Sequence, residues 1–539
     1  MWRLFLGASA LNVLLVAPLW WRFSTIGEPL IAWEAWVIVP LMLVFPKGMS
    51  RRLLGVALIS WVALATIANL GNAATYMAFG RSLNLYLDTP LVRSIFHLLV
   101  GNVGQVWAVC AMLAGIVLLL GSFWGLARLL LASPLPLNSL KGGIALGIAV
   151  LAVVLTLGDL TGKPFMHQAA LPMIKATRFQ WQQVVITHQA HLTFAEQLET
   201  APLQAQALPG LAGRNVLLTF VESYGVSALD DPRYSNVLRP KLATMERRLK
   251  ERGLHVVSGL LEAPIRGGQS WLAHATVLSG RWIDNQLWYR LMLSTQSSTL
   301  IDDFKATGQR TLSIMPAITF AWPEGEAYGF DDIVVAKNIE YAGPALNWVT
   351  MPDQFTLDYT QRHLLGDSPV FAQMALISSH APWTPILPVI DDWETIGDGT
   401  IFAPWEHAGD PPEVLWQDVE RIRDHYAWSV GYAVEVTGRW AERVVDDKTL
   451  LIVLGDHQPA PLITGNNASA AVPVHIISGD PELLASFYTH GFVDGTMPTL
   501  ASPEKAARMS QLRRWLQEEF GAESGTKNGA IALPTRTTP

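Results

Sequence analysis

The stretch LLIVLGDHQP at residues 450–459 sets the reading of this chain: an unbroken apolar run stops at a glycine and then presents an acid and an imidazole. Such a run, bounded by a turn signal, marks a strand buried on both faces. Two more fragments repeat the plan. VES at 221–223 closes the run Asn215–Val221, and SSHAPW at 378–383 closes Val370–Ser378. A fourth fragment, GGQSW at 267–271, opens the helical stretch SWLAHATVLSG. Leu254–Leu261, Thr311–Met315 and Val472–Ile477 are further runs of the buried kind, and helical segments intervene, notably 411–447. This alternation predicts an α/β fold with a mostly parallel sheet covered on both faces. Ligands in such folds bind beyond the carboxyl ends of the strands, where three of the four fragments fall.

Each fragment carries a residue with two readings. Glu222 ends a buried strand, where a carboxylate costs several kcal/mol unless a cation or a donor compensates it. It is a metal ligand, or it is a helix cap or ion-pair member. Asp456 and His457 offer one oxygen and one nitrogen ligand, a set that suits zinc, manganese or another borderline divalent ion better than calcium. Ser270 follows two glycines at a helix start, whose free amides attract an anionic oxygen. It caps the helix, or it is a nucleophile whose proton is removed by metal coordination. His380 suits a phosphoryl oxygen or a leaving group, or it bonds to backbone at the strand end. His274, one turn beyond Ser270, is not expected to act in the site. Trp322 and Glu324, in FAWPEGEAYGFDD, are expected to line the substrate pocket.

Composition places this domain behind a membrane anchor. The 539 residues are half hydrophobic with 15% charged, and the first 160 are mostly apolar. The net charge of −7 gives no basic footprint for nucleic acid. Cys110 is the single cysteine, so neither a disulfide nor a cysteine zinc site forms within one chain. Five spans of roughly twenty residues are expected, near 2–21, 29–46, 53–72, 104–127 and 142–160. The first reads as a retained helix, because it lacks a small-x-small cleavage site. Arg3, Lys47, Arg51, Arg52, Arg128 and Lys141 then share one side, and five crossings carry the following domain to the other. A miscount by one reverses this, with the fourth span the weakest. Glu34, between Trp33 and Trp36, suggests an interfacial belt rather than a proton relay. Residues 85–103 are expected to form an outer surface helix.

The expected division is a transmembrane anchor over 1–160, a juxtamembrane linker over 161–212, a catalytic domain over 213–522 and a disordered tail over 523–539. Within the linker, KATRFQWQQVVITHQAHLTFAEQLET has partly helical spacing. SPEKAARMSQLRRWLQEEFG at 502–521 reads as an amphipathic helix capped by Ser502 and stopped by Gly521.

VES, the Ser270 loop, SSHAPW, LGDH and the later VPVHIIS strand together resemble membrane-anchored members of the alkaline phosphatase/sulfatase superfamily. The resemblance is closest to lipoteichoic acid synthase-like phosphoglycerol transferases and phosphoethanolamine transferases. It implies a five-helix membrane domain followed by a three-layer α/β/α catalytic domain. It also implies one divalent metal ion (Mn, Zn or Mg) on Glu222, Asp456, His457 and Ser270, with Ser270 as nucleophile and His380 binding the transferred group. The implied reaction moves a phospho-headgroup from a phospholipid donor to an envelope glycan, lipid or polymer acceptor through a phospho-serine. The implied place is a bacterial inner membrane, with the catalytic domain facing the periplasm or exterior. The alternatives are a phosphodiesterase, phosphatase or sulfatase-like hydrolase on the same site, and an inactive membrane scaffold.

Two departures narrow the expectation. Pro323 and Glu324 follow Trp322 where phosphoglycerol-transferring relatives place an arginine. Ser270 is followed by Trp-Leu-Ala-His, which lacks the pattern for oxidation to formylglycine.

Overall fold

The computed structural model describes residues 1–539 except 24–28, 90–104, 132, 201–202, 296, 321 and 522–539. The tail expected over 523–539 lies outside the described residues, as does most of the surface helix expected over 85–103. Leu85–Asp88 of the latter forms a helical turn capped by Asn84. The chain divides into two compact units, Met1–Leu192 and Thr193–Pro539.

In the first unit, helices α1 (Trp2–Phe23), α3 (Met49–Phe79), α4 (Gln105–Leu131) and α5 (Leu140–Leu160) are long and apolar enough to cross a membrane. The expected fourth span is thus a full helix, and the short one is the second. Of 29–46 only α2, Trp33–Val44, is helical, about 18 Å at 1.5 Å per residue. Ahead of α2 the chain is extended, with its backbone bonds taken up by protein groups, which is how irregular backbone is tolerated at membrane depth. Ala32 donates to Asn12 Oδ1 at 2.7 Å, Asn12 Nδ2 donates to the Leu30 carbonyl at 2.8 Å, and Ile31–Ala32 pair in parallel with Ala169–Ala170.

Basic side chains tie one end of this bundle together. Buried Arg51 donates to the carbonyls of Met42 at 3.0 Å and Leu130 at 2.7 Å, at the negative ends of α2 and α4. Arg3 donates to the Ser133 carbonyl at 2.9 Å. At the other end Arg22 lies 4.7 Å from the Tyr76 ring. Glu34 is a cap. It is buried and accepts from the amides of Met173 (3.0 Å) and Ile174 (3.3 Å), which open α6, Pro172–Thr200.

The second unit is built on one sheet. Its strands are β1 (Asn215–Val221), β2 (His255–Glu262), β3 (Arg310–Met315), β4 (Asp332–Val335), β5 (Val370–Leu376), β6 (Thr449–Gly455), β7 (Ala471–Ser478), β8 (Val493–Asp494) and β9 (Ala507–Arg508). They lie in the order β8-β2-β7-β6-β1-β5-β3-β4, with β9 beside β2. From β6 to β4 all neighbours are parallel, whereas β7 runs antiparallel to both β6 and β2. The sheet is therefore mixed but mostly parallel.

Alternate residues of each central strand enter opposite cores, as a period of two requires. Leu217 and Val221 of β1 and Leu451 and Val453 of β6 meet α7 (Pro232–Glu251), α9 (Asp353–Tyr359) and α10 (Val419–Val444). Leu218, Phe220, Ile452 and Leu454 meet α8 (Ser270–Ser279) and α11 (Gln511–Phe520) on the other face. Each such side chain, fully buried, contributes roughly 1.5–3 kcal/mol. The terminal helix is shorter than its spacing suggests, and Ser502 does not cap it. Ala507–Arg508 pair with Leu261–Glu262 of β2 instead, so the helix begins only at Gln511.

Candidate functional site

The register of the central strands gathers the candidate residues. Val221 of β1 pairs with Gly455 of β6 on one side and Leu376 of β5 on the other. The next residues of three adjacent strands are thus Glu222, Asp456 and the turn leading to His380. β2 points the same way, and the loop after it returns over this edge. There the Gly267 amide donates to the Gln458 carbonyl at 2.8 Å, which pins the loop beside His457. Gly267, Gly268 and Gln269 all have positive φ (72°, 137° and 66°), a conformation that favours glycine, and glycine fills the first two places. Ser270 then begins α8.

The side chains converge. Ligand atoms of Glu222, Asp456 and His457 lie within 4.8 Å of one another, and all three residues are buried. Ser270 Oγ donates to Glu222 Oε2 at 2.9 Å and lies 3.2 Å from His457 Nε2. His457 Nε2 is 3.2 Å from Glu222 Oε1 and 3.8 Å from Asp456 Oδ2. The other ring nitrogen, Nδ1, donates to the Gln458 carbonyl at 2.8 Å, so a neutral His457 points the Nε2 lone pair at this cluster.

Two carboxylates, a hydroxyl and that lone pair are all electron-rich and face one point. The arrangement calls for a positive charge, and the donor set fits a divalent ion held by oxygens and one nitrogen. The electrostatics of the cluster without metal make the same demand. Burial opposes charge on His457, but Asp456 and Glu222 outweigh it and push the imidazole up to about 9. Burial would raise Glu222 too, yet His457 holds it well below the usual carboxylate range. Asp456 is raised, by burial first and by the charge of Glu222 second.

The backbone around the cluster is fixed by buried groups. Asp456 Oδ1 accepts from the amides of Ser223 (2.8 Å) and His457 (2.7 Å). Ser223 has φ 57°, and its carbonyl accepts from Tyr426 Oη at 3.0 Å. Tyr224 and Ser258 flank His475 at 3.0 and 2.7 Å, and Ser258 Oγ lies 2.7 Å from the Gly495 carbonyl as its donor. Sequence reasoning missed these supports, because their partners lie up to about 250 residues apart.

His380 is exposed, its Nδ1 donates to the Ala381 carbonyl, and its charge bears on Glu222. His274 is buried against Phe220 with ring centroids 4.1 Å apart, and burial pushes it down to about 4. Trp322 packs on Gly325 and beside Met315 and Ile333. Burial raises Tyr289 and Tyr328, and the charge of nearby Glu324 adds to both. Neither has a hydrogen bond to the Ser270 cluster among the described residues.

No family model matches the chain, and no curated protein matches it. Solved structures similar to it include the C-terminal periplasmic domain of EcEptC from Escherichia coli. That match has 14% identity, spans 59% of this chain and 86% of that one, and has a TM-score of 0.38. The Streptococcus pyogenes phosphoglycerol transferase GacH, in complex with sn-glycerol-1-phosphate, matches at 15% identity over 65% of this chain and 86% of that one, TM-score 0.38. The lipoteichoic acid synthase LtaP from Listeria monocytogenes matches at 12% identity over 50% of this chain and 66% of that one, TM-score 0.33.

Proposed function

We propose that this chain is a metal-dependent phosphoryl-type transferase that moves a phospho-headgroup from a phospholipid to an envelope glycan, lipid or polymer. The observation that carries the reading is the position of Ser270 Oγ, 2.9 Å from Glu222 and 3.2 Å from His457 at the start of α8. A serine that only capped its helix would have no need of two buried acids and an imidazole.

Glu222, Asp456, His457 and Ser270 would hold one divalent ion. When bound, it supplies Lewis-acid stabilisation of charge on the nucleophile and the phosphoryl oxygens. The rest falls to the chain. Ser270 Oγ, its proton given up to solvent, forms a bond to phosphorus, and the phosphorus–oxygen bond to the diacylglycerol breaks. His380, with Nδ1 committed to the Ala381 carbonyl, presents Nε2 to protonate the departing oxygen. An acceptor hydroxyl then attacks the phospho-serine, its proton passes to His380, the bond from phosphorus to Ser270 Oγ breaks, and Oγ takes up a proton from solvent. The positive end of α8 favours the anionic group throughout.

The site works outside the cytoplasm in this reading. The ends of α1, α2 and α4 tied by Arg3 and Arg51 are the basic, cytoplasmic end. Short α2 with its extended lead makes the fifth crossing, which preserves the odd count.

The experiment incubates the full chain, loaded with Mn2+, with labelled phospholipids, with and without envelope acceptors, and follows the Ser270 peptide by mass spectrometry. A headgroup-phosphate adduct on Ser270, absent from Ser270→Ala, and labelled acceptor are expected. Free headgroup alone makes the enzyme a hydrolase. Turnover undiminished in Ser270→Ala removes the proposal.

A further inference from the structure

The turn that carries His380 is held from beneath by a residue outside the four sequence fragments. Asp353, the first residue of α9, is fully buried. Its Oδ1 accepts from the amides of Ile377 (2.7 Å) and Ser378 (2.9 Å), where the chain leaves β5. In return Ser378 Oγ accepts from the Asp353 amide at 2.8 Å. One residue further on, Ser379 Oγ donates to the carbonyl of Glu222 at 2.6 Å, and the Ser379 carbonyl accepts from Trp383 Nε1 at 2.8 Å. The residues leading into His380 are thereby anchored twice, once to α9 and once to the backbone of a candidate metal ligand.

A carboxylate is an expensive choice for this task. Asp353 Oδ2 is buried with no hydrogen-bond partner among the described residues, and so is the Tyr432 hydroxyl, whose ionisation is opposed by burial first and by the Asp353 charge second. An asparagine or serine would cap two amides without burying charge. What the charge adds is strength at Oδ1, because hydrogen bonds to an ionised acceptor are roughly twice as strong as neutral ones. The strength falls on the two amides that set the direction of the chain into His380.

We propose that Asp353 is a positioning residue for this reaction: through Ile377 and Ser378 it fixes the His380 turn, and Ser379 locks that turn to Glu222, holding the imidazole in register with Ser270. This rests on the phosphoryl-transfer reading of the Ser270 site. It goes beyond that reading by assigning catalytic consequence to a buried group that touches neither substrate nor metal.

The test is a double-mutant cycle on the full chain in detergent with Mn2+. It measures release of labelled diacylglycerol from fluorescent phosphatidylglycerol and phosphatidylethanolamine. These substrates have an alkoxide leaving group, so the rate depends on His380. Asp353→Ala is expected to lower kcat by about tenfold or more with KM changed less than about twofold, since a shift of about 1 Å can cost about a hundredfold. Asp353→Asn keeps an oxygen acceptor and is expected to recover much of the loss. In a His380→Ala background neither Asp353→Ala nor Ser379→Ala lowers kcat further, because the group they position is gone. Ser379→Ala carries the same cycle where Asp353→Ala fails to fold.

An equal loss in both backgrounds, or Asp353→Asn as impaired as Asp353→Ala, overturns the inference. So does wild-type turnover that Ser270→Ala abolishes but Asp353→Ala and Ser379→Ala leave unchanged. A wild type without turnover, or Ser270→Ala as active as wild type, overturns the underlying reading instead.

Discussion

Replacing Asp456 with asparagine separates two roles of one carboxylate. Its Oδ1 holds the amides of Ser223 and His457, a task an amide oxygen can keep. Its charge faces Glu222, with ligand atoms of the cluster within 4.8 Å of one another. Two like charges at that separation repel by about 3 kcal/mol at an effective dielectric of about 20. Burial and this repulsion raise Asp456 above its ordinary value. The sign follows: a carboxyl raised on folding stabilises the protein below its unfolded pKa, and that contribution is lost as pH climbs through the folded one. Metal-free wild type should therefore lose stability between acid pH and pH 8, and metal-free Asp456→Asn should lose less. At pH 8 the variant is expected to be more stable by up to about 3 kcal/mol. Divalent metal reverses the ranking. At a hundred times Kd it should add about 2.7 kcal/mol to wild type and far less to a variant with one anionic ligand fewer. Urea or thermal unfolding of the full chain in detergent at pH 5 and 8, with and without Mn2+, measures all four terms. Equal metal stabilisation of both proteins, or a metal-free variant clearly less stable than wild type at pH 8, would refute the reasoning.

Further outcomes are open to the same material. Because Asp456 and Glu222, against burial, raise His457 to about 9, its Nε2 is protonated at neutral pH without metal. Metal binding should release more than one proton per ion at pH 7, from His457 and from Asp456, and tighten as pH rises toward 9, seen as buffer-dependent heats in calorimetry. Arg513 and Asp303 form a buried pair at 2.7 Å that also reaches the Ser279 carbonyl at the end of α8. Arg513→Ala should cost about 3–5 kcal/mol, while a joint Arg513→Met and Asp303→Asn change should cost much less, by denaturant midpoint. For topology, Lys47→Cys should react with impermeant maleimide only from the cytoplasmic side and Arg81→Cys only from the other. Labelling of both from one face would remove the orientation.

Much of the fold of the second unit was legible because parallel strands buried on both faces leave uninterrupted apolar runs. LLTFV, FAQMALIS and LLIVLG stop where the polar edge begins, so the residues that follow were marked as edge residues. The same burial erased direction. Val472–Ile477 reads alike either way, and its antiparallel placement as β7 follows from connections no local pattern records. The short α2 was hidden because Asn12 satisfies extended backbone that hydropathy counts as helix. Asp353 was silent for a related reason. Its partners are backbone amides 24 and 25 residues away, and amides have no sequence signature. The amphipathic spacing from Ser502 was real, but pairing with β2 took its first turns.

The central claim is that a serine, two acids and an imidazole from three distant segments hold one cation. Anomalous scattering from Mn2+-loaded crystals of the full chain tests it most directly. A peak is predicted about 2.0–2.3 Å from oxygens of Glu222, Asp456 and Ser270 and from Nε2 of His457. Bound manganese located elsewhere, with these four side chains ligating nothing, would contradict it.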